Sequence, residues 1–406
     1  MTDPRSISDR PHFGTVAIRT ERQTNRTHAH IMPIYQSSTY LFDSVAHGQA
    51  LWRGEEEGHI YGRLGNPNAE ATARTIAALE GIRLPQPPYA LLTGSGMGAV
   101  STVLLALTSA GDTVISQVAL YGATHTLFTR EMARRGVQHV TFNGPCLDEL
   151  EAALEQHPHA RFVYIETPVN PTMALTDIRG VVARAHAAGA LVVVDNTFAS
   201  PYVQRPLEMG ADIVLHSTTK YLTGHGTVIG GAIVTPHEAL YREKLLPILT
   251  NYGAVAGPMD AWLTGLGLKT FHLRMPRHCE NGLAVARFLE QHPAVAQVNY
   301  PGLTSFPQYD LARAQMDAYG AMLSFELHGG YDAAVHVMNS VRLCTLAVSL
   351  GTVDTLIAHP ASMMNFKTPP EERRRMGITE GLIRLSVGLE EVEDIIADLD
   401  QALCSI

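Results

Sequence analysis

Cysteine is scarce in this 406-residue chain: there are four, Cys146, Cys279, Cys344 and Cys404, and no two stand at metal-binding or redox spacing. That excludes a disulfide scaffold or zinc-ribbon site, and the four read as incidental thiols of a cytoplasmic protein. Charge is sparse too, 17% of residues, and leans acidic, with 30 Lys plus Arg against 39 Asp plus Glu for a net −9. A chain so balanced has no electrostatic footprint for nucleic acid, and its one basic cluster, Arg373, Arg374 and Arg375, directly follows Glu371 and Glu372. Long apolar runs are missing. The longest charge-free stretch, 84–111, holds three prolines, several glycines and many hydroxyls, so no membrane partner is expected. The polar residues 1–14 lack the apolar core of a secretory signal. The pairs His28, His30 and His157, His159 read as loop histidines, and no metal site is expected. What remains is a globular composition, 46% hydrophobic and long enough for two or three domains.

Short apolar runs rich in β-branched residues recur at 90–92, 113–115, 162–165, 191–194, 213–215 and 232–234. Helical patterns lie between several of them, at 97–107, 123–135, 147–156 and 178–188. Strands without in-and-out alternation, alternating with helices, predict an α/β fold with a mostly parallel sheet covered on both faces. After Val234 the texture changes to a helical stretch over 259–289 and a mixed region. There the strand-like 382–387 precedes an amphipathic pattern of Leu389, Val392, Ile396, Leu399 and Leu403. The expected division is an N-terminal arm at 1–60, a large cofactor-binding α/β domain at 61–258 and a smaller α+β C-terminal domain at 259–406. The arm lacks any βα rhythm and reads as a segment that packs on something else, such as a neighbouring subunit.

Ligands of α/β sheets bind beyond the carboxyl ends of the strands. After 90–92 come Thr93, Gly94, Ser95, Gly96, Met97, Gly98 and a helix, whose free N–H groups suit a phosphate. A dinucleotide site would use the same turn but wants an acid at the next strand end, where Ser116, Gln117 and Val118 stand. The run 191–194 delivers Asp195, and the run 213–215 delivers His216, Ser217, Thr218, Thr219 and Lys220. Alone, that lysine reads as a snorkelling surface amine, and the carboxylate needs a partner. A strand-end Asp, a Lys 220 − 195 = 25 residues later among hydroxyls, and a Gly-rich helix start are together what pyridoxal phosphate requires. The Asp pairs with the ring nitrogen, the Lys forms the Schiff base, and hydroxyls and amides hold the phosphate. The rival Ser-x-x-Lys reading of 217–220 lacks the Ser-Asp-Asn and Lys-Thr-Gly motifs of penicillin-recognising acylases.

Seven stretches then occur in order: 61–67 (Tyr-Gly-Arg-Leu-Gly-Asn-Pro), 95–98, 166–171 (Glu-Thr-Pro-Val-Asn-Pro), 194–197, 217–221, 359–362 and 384–388 (Arg-Leu-Ser-Val-Gly). With them the chain resembles, from about 33 to 403, the pyridoxal-phosphate enzymes of cysteine and methionine metabolism, a family that includes cystathionine gamma-synthases, cystathionine lyases and methionine gamma-lyases. The resemblance implies a type I pyridoxal-phosphate-dependent transferase fold, with Lys220 as the Schiff-base lysine and Asp195 at the pyridine nitrogen. It implies Gly96, Met97, Ser217 and Thr219 at the phosphate, and Tyr61 and Arg63 reaching the phosphate of the neighbouring subunit in a dimer that pairs into a homotetramer. Tyr121 would stack on the ring and handle protons at the leaving group. Asn170 would lie near the ring hydroxyl, and Arg384 with Ser349 would take the substrate carboxylate.

Within that family, cystathionine enzymes typically carry a glutamate just before the Ser-Leu-Gly segment, and many gamma-lyases another before the Tyr-x-Arg motif; here Val348 and Ile60 stand there. Apolar groups cannot pair with a distal ammonium but tolerate a methylthio end. The chain is thus most similar to methionine gamma-lyases, which implies α,γ-elimination of methionine, and of homocysteine, to a thiol, 2-oxobutanoate and ammonia. Ala123 replaces a cysteine usual in the bacterial enzymes, and Leu249 and Thr250 replace a Lys-Asp pair. Thr227 is similar to O-acetylhomoserine sulfhydrylases. A cystathionine lyase or gamma-synthase, a sulfhydrylase working by γ-replacement, and a non-catalytic binding protein are the alternatives.

Overall fold

The computed structural model describes residues 11–21, 25, 27–366 and 368–406; residues 1–10 of the polar N-terminus and positions 22–24 and 26 of the expected arm lie outside them. Strands β1 (Tyr89–Thr93), β2 (Thr113–Gln117), β3 (Gln138–Phe142), β4 (Phe162–Glu166), β5 (Leu191–Asp195), β6 (Ile213–His216) and β7 (Gly231–Thr235) form one sheet in the order β1-β7-β6-β5-β4-β2-β3. Only β7 runs against its neighbours, so the carboxyl ends of the other six share one edge. Successive strand side chains point to opposite faces. Val163, Ile165, Val192 and Val194 pack in one core, while Phe162, Tyr164 and Val193 pack in another across the sheet. Both faces are dry, which is why the runs carry no polar alternation.

The expected helices at 97–107, 147–156 and 178–188 form as Gly96–Leu107, Leu147–Gln156 and Ile178–Ala187, whereas the pattern over 123–135 divides into Gly122–Thr126 and a π-helical turn, Leu127–Met132. Two of the elements without a counterpart in the sequence reading bear on the large sheet. β3 is the edge strand, its outer end exposed and its Gln138 and Thr141 polar, so it lacks an apolar run. The helix Pro67–Glu80 is rich in alanine, which packs closely while giving little apolar signal.

Strands β8 (Val295–Asn299), β9 (Met322–Leu327), β10 (Thr345–Leu346), β11 (Leu356–Ala358) and β12 (Leu382–Ser386) make a second sheet in the order β10-β11-β12-β9-β8. The helices Phe271–Gln291 and Val392–Leu403 cover it, with Leu289, Ile395, Leu399 and Leu403 sharing a core with one face of the large sheet. The stretch predicted as one helix over 259–289 is two, Pro258–Leu268 and Phe271–Gln291. The break lets the Arg274 guanidinium donate to the carbonyls of Tyr221, Leu222 and Gly267, bracing the turn just after Lys220.

The expected arm is anchored at its start, where the helix Phe13–Arg19 buries Val16 and Ala17 in the main core. Further on, Leu41, Val45 and Trp52 are 93%, 80% and 66% exposed. Among the described residues no helix is long and apolar enough to cross a membrane.

Candidate active site

The shared carboxyl edge of the large sheet gathers the chemistry. β4 ends at Glu166 and β5 at Asp195, and the two stand opposite each other in register. Asp195 accepts the Thr197 amide at 3.0 Å and the Tyr164 hydroxyl at 3.4 Å. Burial raises the proton affinity of Asp195, and burial beside Asp195 raises that of Glu166 well above the usual carboxylate range. Two carboxyls at one dry strand edge are a site in want of a cation.

Next to them β6 ends at His216 and the chain turns through Ser217 to Lys220. The Lys220 amine donates to Ser349 Oγ at 2.7 Å. Burial, and then the nearby Arg384 guanidinium, lowers its pKa to about 8. Ser349 lies between β10 and β11 with φ of 95°, a conformation few non-glycine residues hold unless their surroundings impose it. Its carbonyl accepts from Arg384 Nη2 at 2.8 Å, while Arg384 Nη1 donates to Asn170 Oδ1 at 3.0 Å. Arg384, on β12, is itself buried with no carboxylate in contact among the described residues, and burial lowers its pKa to about 10. A buried fork of donors without an anion is what a substrate carboxylate needs.

The third part is the start of the helix Gly96–Leu107. Ser95 caps it by accepting the Gly98 amide at 2.9 Å, leaving the amides of Gly96 and Met97 without an intrahelical acceptor. Ser217 faces this turn so closely that a Cβ on Gly96 would lie 2.9 Å from Ser217 Cβ, which only glycine avoids. The Ser217 amide donates to Thr197 Oγ1 at 2.8 Å, and Thr219 Oγ1 exchanges hydrogen bonds with the Gly230 backbone at 3.0 and 3.2 Å. Unsatisfied amides and the Ser217 hydroxyl could hold a phosphate here. The Met97 side chain plays a packing part, accepting weakly from Thr124 Oγ1 at 3.8 Å.

Tyr121 stands over this edge with half its surface exposed, and its amide donates to both oxygens of Glu166 at 3.0 and 2.9 Å. Lys220, Asp195, Ser217, Gly96, Met97, Asn170, Arg384 and Ser349 thus come together within one chain. Tyr61, Arg63 and Ile60 do not join them. Arg63 instead donates to the Thr250 carbonyl, and Tyr61 bridges Thr39 in the exposed segment. Val348 is exposed as well. Sequence reasoning assigned no part to Glu166 and Tyr164, although both lie at the carboxyl end of a strand. His292, Asp400 and Cys404 cluster far from this edge, but His292 Nδ1 accepts the Ala294 amide, so its Nε2 carries the hydrogen and has no lone pair for an ion.

A half-buried strand-end carboxylate, a depressed lysine, free helix-start amides and a half-exposed aromatic ring together fit pyridoxal 5'-phosphate. Known proteins agree. The L-methionine gamma-lyase of Porphyromonas gingivalis is 47% identical over 398 residues, 98% of each chain. That of Fusobacterium nucleatum subsp. polymorphum is 46% identical over 392 residues, 96% of this chain and 98% of the relative. The crystal structure of cystathionine gamma synthase from Xanthomonas oryzae pv. oryzae in complex with cystathionine superposes with a TM-score of 0.90 at 39% identity, covering 97% of this chain and 98% of that one. The model of the Cys/Met metabolism PLP-dependent enzyme family matches residues 14–404, and with the strand-end chemistry in place the chain belongs to that family, with pyridoxal 5'-phosphate as its cofactor.

Proposed function

We propose that this chain is a carbon–sulfur lyase that, with one water, converts L-methionine, and likewise homocysteine, to a thiol, 2-oxobutanoate and ammonia by α,γ-elimination. The observation that carries the reading is the half-buried Lys220 amine held beside Ser349 and the buried Arg384 fork, an amino-acid site with its own base. The named lyase relatives, and apolar Ile60 and Val348 where an ammonium-binding acid would stand, favour methionine.

When bound, pyridoxal phosphate supplies a carbonyl that takes the substrate amine and a ring that accepts the electron pair from Cα. Asp195 would hold a proton on the ring nitrogen, and Asn170, its Oδ1 engaged by Arg384, keeps its amide donors free and would offer them to the ring hydroxyl. Arg384 grips the substrate carboxylate and fixes Cα against Lys220. With a pKa near 8, roughly a tenth of Lys220 is free amine at pH 7, enough to remove the Cα proton. Tyr121 lies on the open side of the site and gives a proton to the departing sulfur. Gly96, Met97, Ser217 and Thr219 anchor the phosphate.

The active unit is a dimer paired into a homotetramer in the cytoplasm, with the exposed segment carrying Ile60, Tyr61 and Arg63 completing the neighbour's site. Its apolar Leu41, Val45 and Trp52 supply the surface to be covered. Thr227 supports a second reading, γ-replacement in the same site. Purified holoenzyme given methionine, homocysteine, cystathionine, or O-acetylhomoserine with sulfide decides between them. Dominant 2-oxobutanoate from methionine is expected. Turnover of cystathionine alone overturns the apolar-pocket argument, and activity only with the ester and sulfide establishes replacement.

A further inference from the structure

Beneath the site lies a carboxylate that the reaction does not use. Glu80, the last residue of the helix Pro67–Glu80, is fully buried. Its Oε1 accepts from Asn196 Nδ2 at 2.8 Å and meets His216 Nε2 at 2.6 Å, and its Oε2 has no partner among the described residues. Asn196 directly follows Asp195, and His216 directly precedes Ser217 and the turn to Lys220. The Asn196 amide donates to the Leu215 carbonyl at 2.9 Å, so the two strand ends are already neighbours. A carboxyl group with one bare oxygen is costly in a dry interior, and the short contacts to His216 and Asn196 offset that cost. The placement uses that one oxygen to tie together the two strands that deliver the ring-nitrogen partner and the lysine.

We infer that Glu80 is a positioning residue of the cofactor site, fixing the spacing of Asp195 and Lys220 through Asn196 and His216. The same helix is capped at its start by Asn66, which accepts the Asn68 amide at 2.9 Å and follows Arg63 by three residues. The segment meant for the neighbour's site therefore leads into the helix whose far end holds the tie for its own.

The inference rests on Lys220 and Asp195 holding the cofactor, so the test runs wild type and K220A alongside. Cofactor dissociation constants and the absorption maximum of the bound cofactor are measured for E80A, E80Q and N196A, with thermal unfolding of the cofactor-free proteins. E80A is expected to weaken binding by about tenfold and move the absorption maximum, since a buried tie is lost, His216 Nε2 is orphaned and Asn196 Nδ2 keeps only the Gln204 carbonyl. E80Q keeps an oxygen that both donors can reach and is expected to bind within about threefold of wild type. N196A removes one arm and should fall between them. Unchanged affinity and absorption in E80A, or in N196A should E80A fail to fold, overturns the inference even if the unfolding temperature drops. So does E80Q as impaired as E80A, which would make the charge rather than the tie decisive. A coloured wild type with a colourless K220A shows that the cofactor reading stands while this one fails; an uncoloured wild type removes both.

Discussion

Lys220 and Ser349 are 129 positions apart in the chain, yet the amine of one donates to the hydroxyl of the other at 2.7 Å. Lys220 stands at the carboxyl end of the large sheet and Ser349 on the loop between two strands of the small one, so the two sheets meet at the amine. Replacing Lys220 by Ala is expected to remove the yellow colour of the holoenzyme and to reduce 2-oxo acid release by at least about a hundredfold. Steady-state turnover with methionine checks this, and a coloured, active K220A would end the assignment of the base.

The same amine sets a pH dependence. Burial and Arg384 depress it to about 8, and only its unprotonated form attacks a carbonyl. The rate at which cofactor-free protein takes up pyridoxal phosphate should therefore climb with pH up to about 8 and level off above it. Stopped-flow absorbance across pH 6 to 11, a range spanning about 10.4 for an ordinary lysine, locates the bend. A bend in the ordinary range would mean that the amine is not desolvated.

Asp195 and Glu166 face each other at one buried strand edge, and both hold their protons more tightly folded than unfolded. The sign follows from linkage. Between the unfolded values near 4 and the raised folded ones, the unfolded chain binds fewer protons, so stability is full at acid pH and declines as pH rises. D195N removes one of the two charges. The cofactor-free variant should unfold about 2 °C or more above wild type at pH 7, with a flatter pH profile, while binding the cofactor poorly. Calorimetry at several pH values tests this; a cofactor-free D195N less stable than wild type at pH 7 would show that the pair is not strained.

What the sequence made legible follows from how each residue is placed. Asp195 is legible because a carboxylate directly after a dry apolar run has few structural uses, and Lys220 because it stands in a hydroxyl-rich turn after another such run. Glu166 occupies the same kind of position, but its work is to hold the Tyr121 amide, a contact across 45 residues that no local pattern encodes. The edge strand β3 and the alanine-rich helix Pro67–Glu80 escape a reading based on apolar runs because one is half in water and the other packs with methyl groups. Tyr61 and Arg63 are assigned a part by resemblance only, since both lie outside the gathered site and Arg63 meets the Thr250 carbonyl of its own chain.

Arg384 presents its two Nη groups to Asn170 Oδ1 and the Ser349 carbonyl, which fixes the plane of the guanidinium before any substrate arrives. Lysine keeps the charge but not the fork. R384K is expected to raise the KM for methionine by roughly tenfold or more, with a smaller effect on cofactor affinity. An unchanged KM would place the carboxylate elsewhere.

If Arg63 serves the neighbour's phosphate, R63A and K220A damage different halves of one composite site. Each homodimer then carries two defective sites, whereas a mixed dimer carries one site with both defects and one with neither. Unfolding and refolding the two variants together should yield half mixed dimers and so restore about a quarter of wild-type sites. The recovered 2-oxo acid production is compared with that of each variant refolded alone. Arg63 binds the Thr250 carbonyl within its own chain, so the competing outcome is definite: if Arg63 acts in its own subunit's site, a mixed dimer contains no intact site and mixing restores nothing.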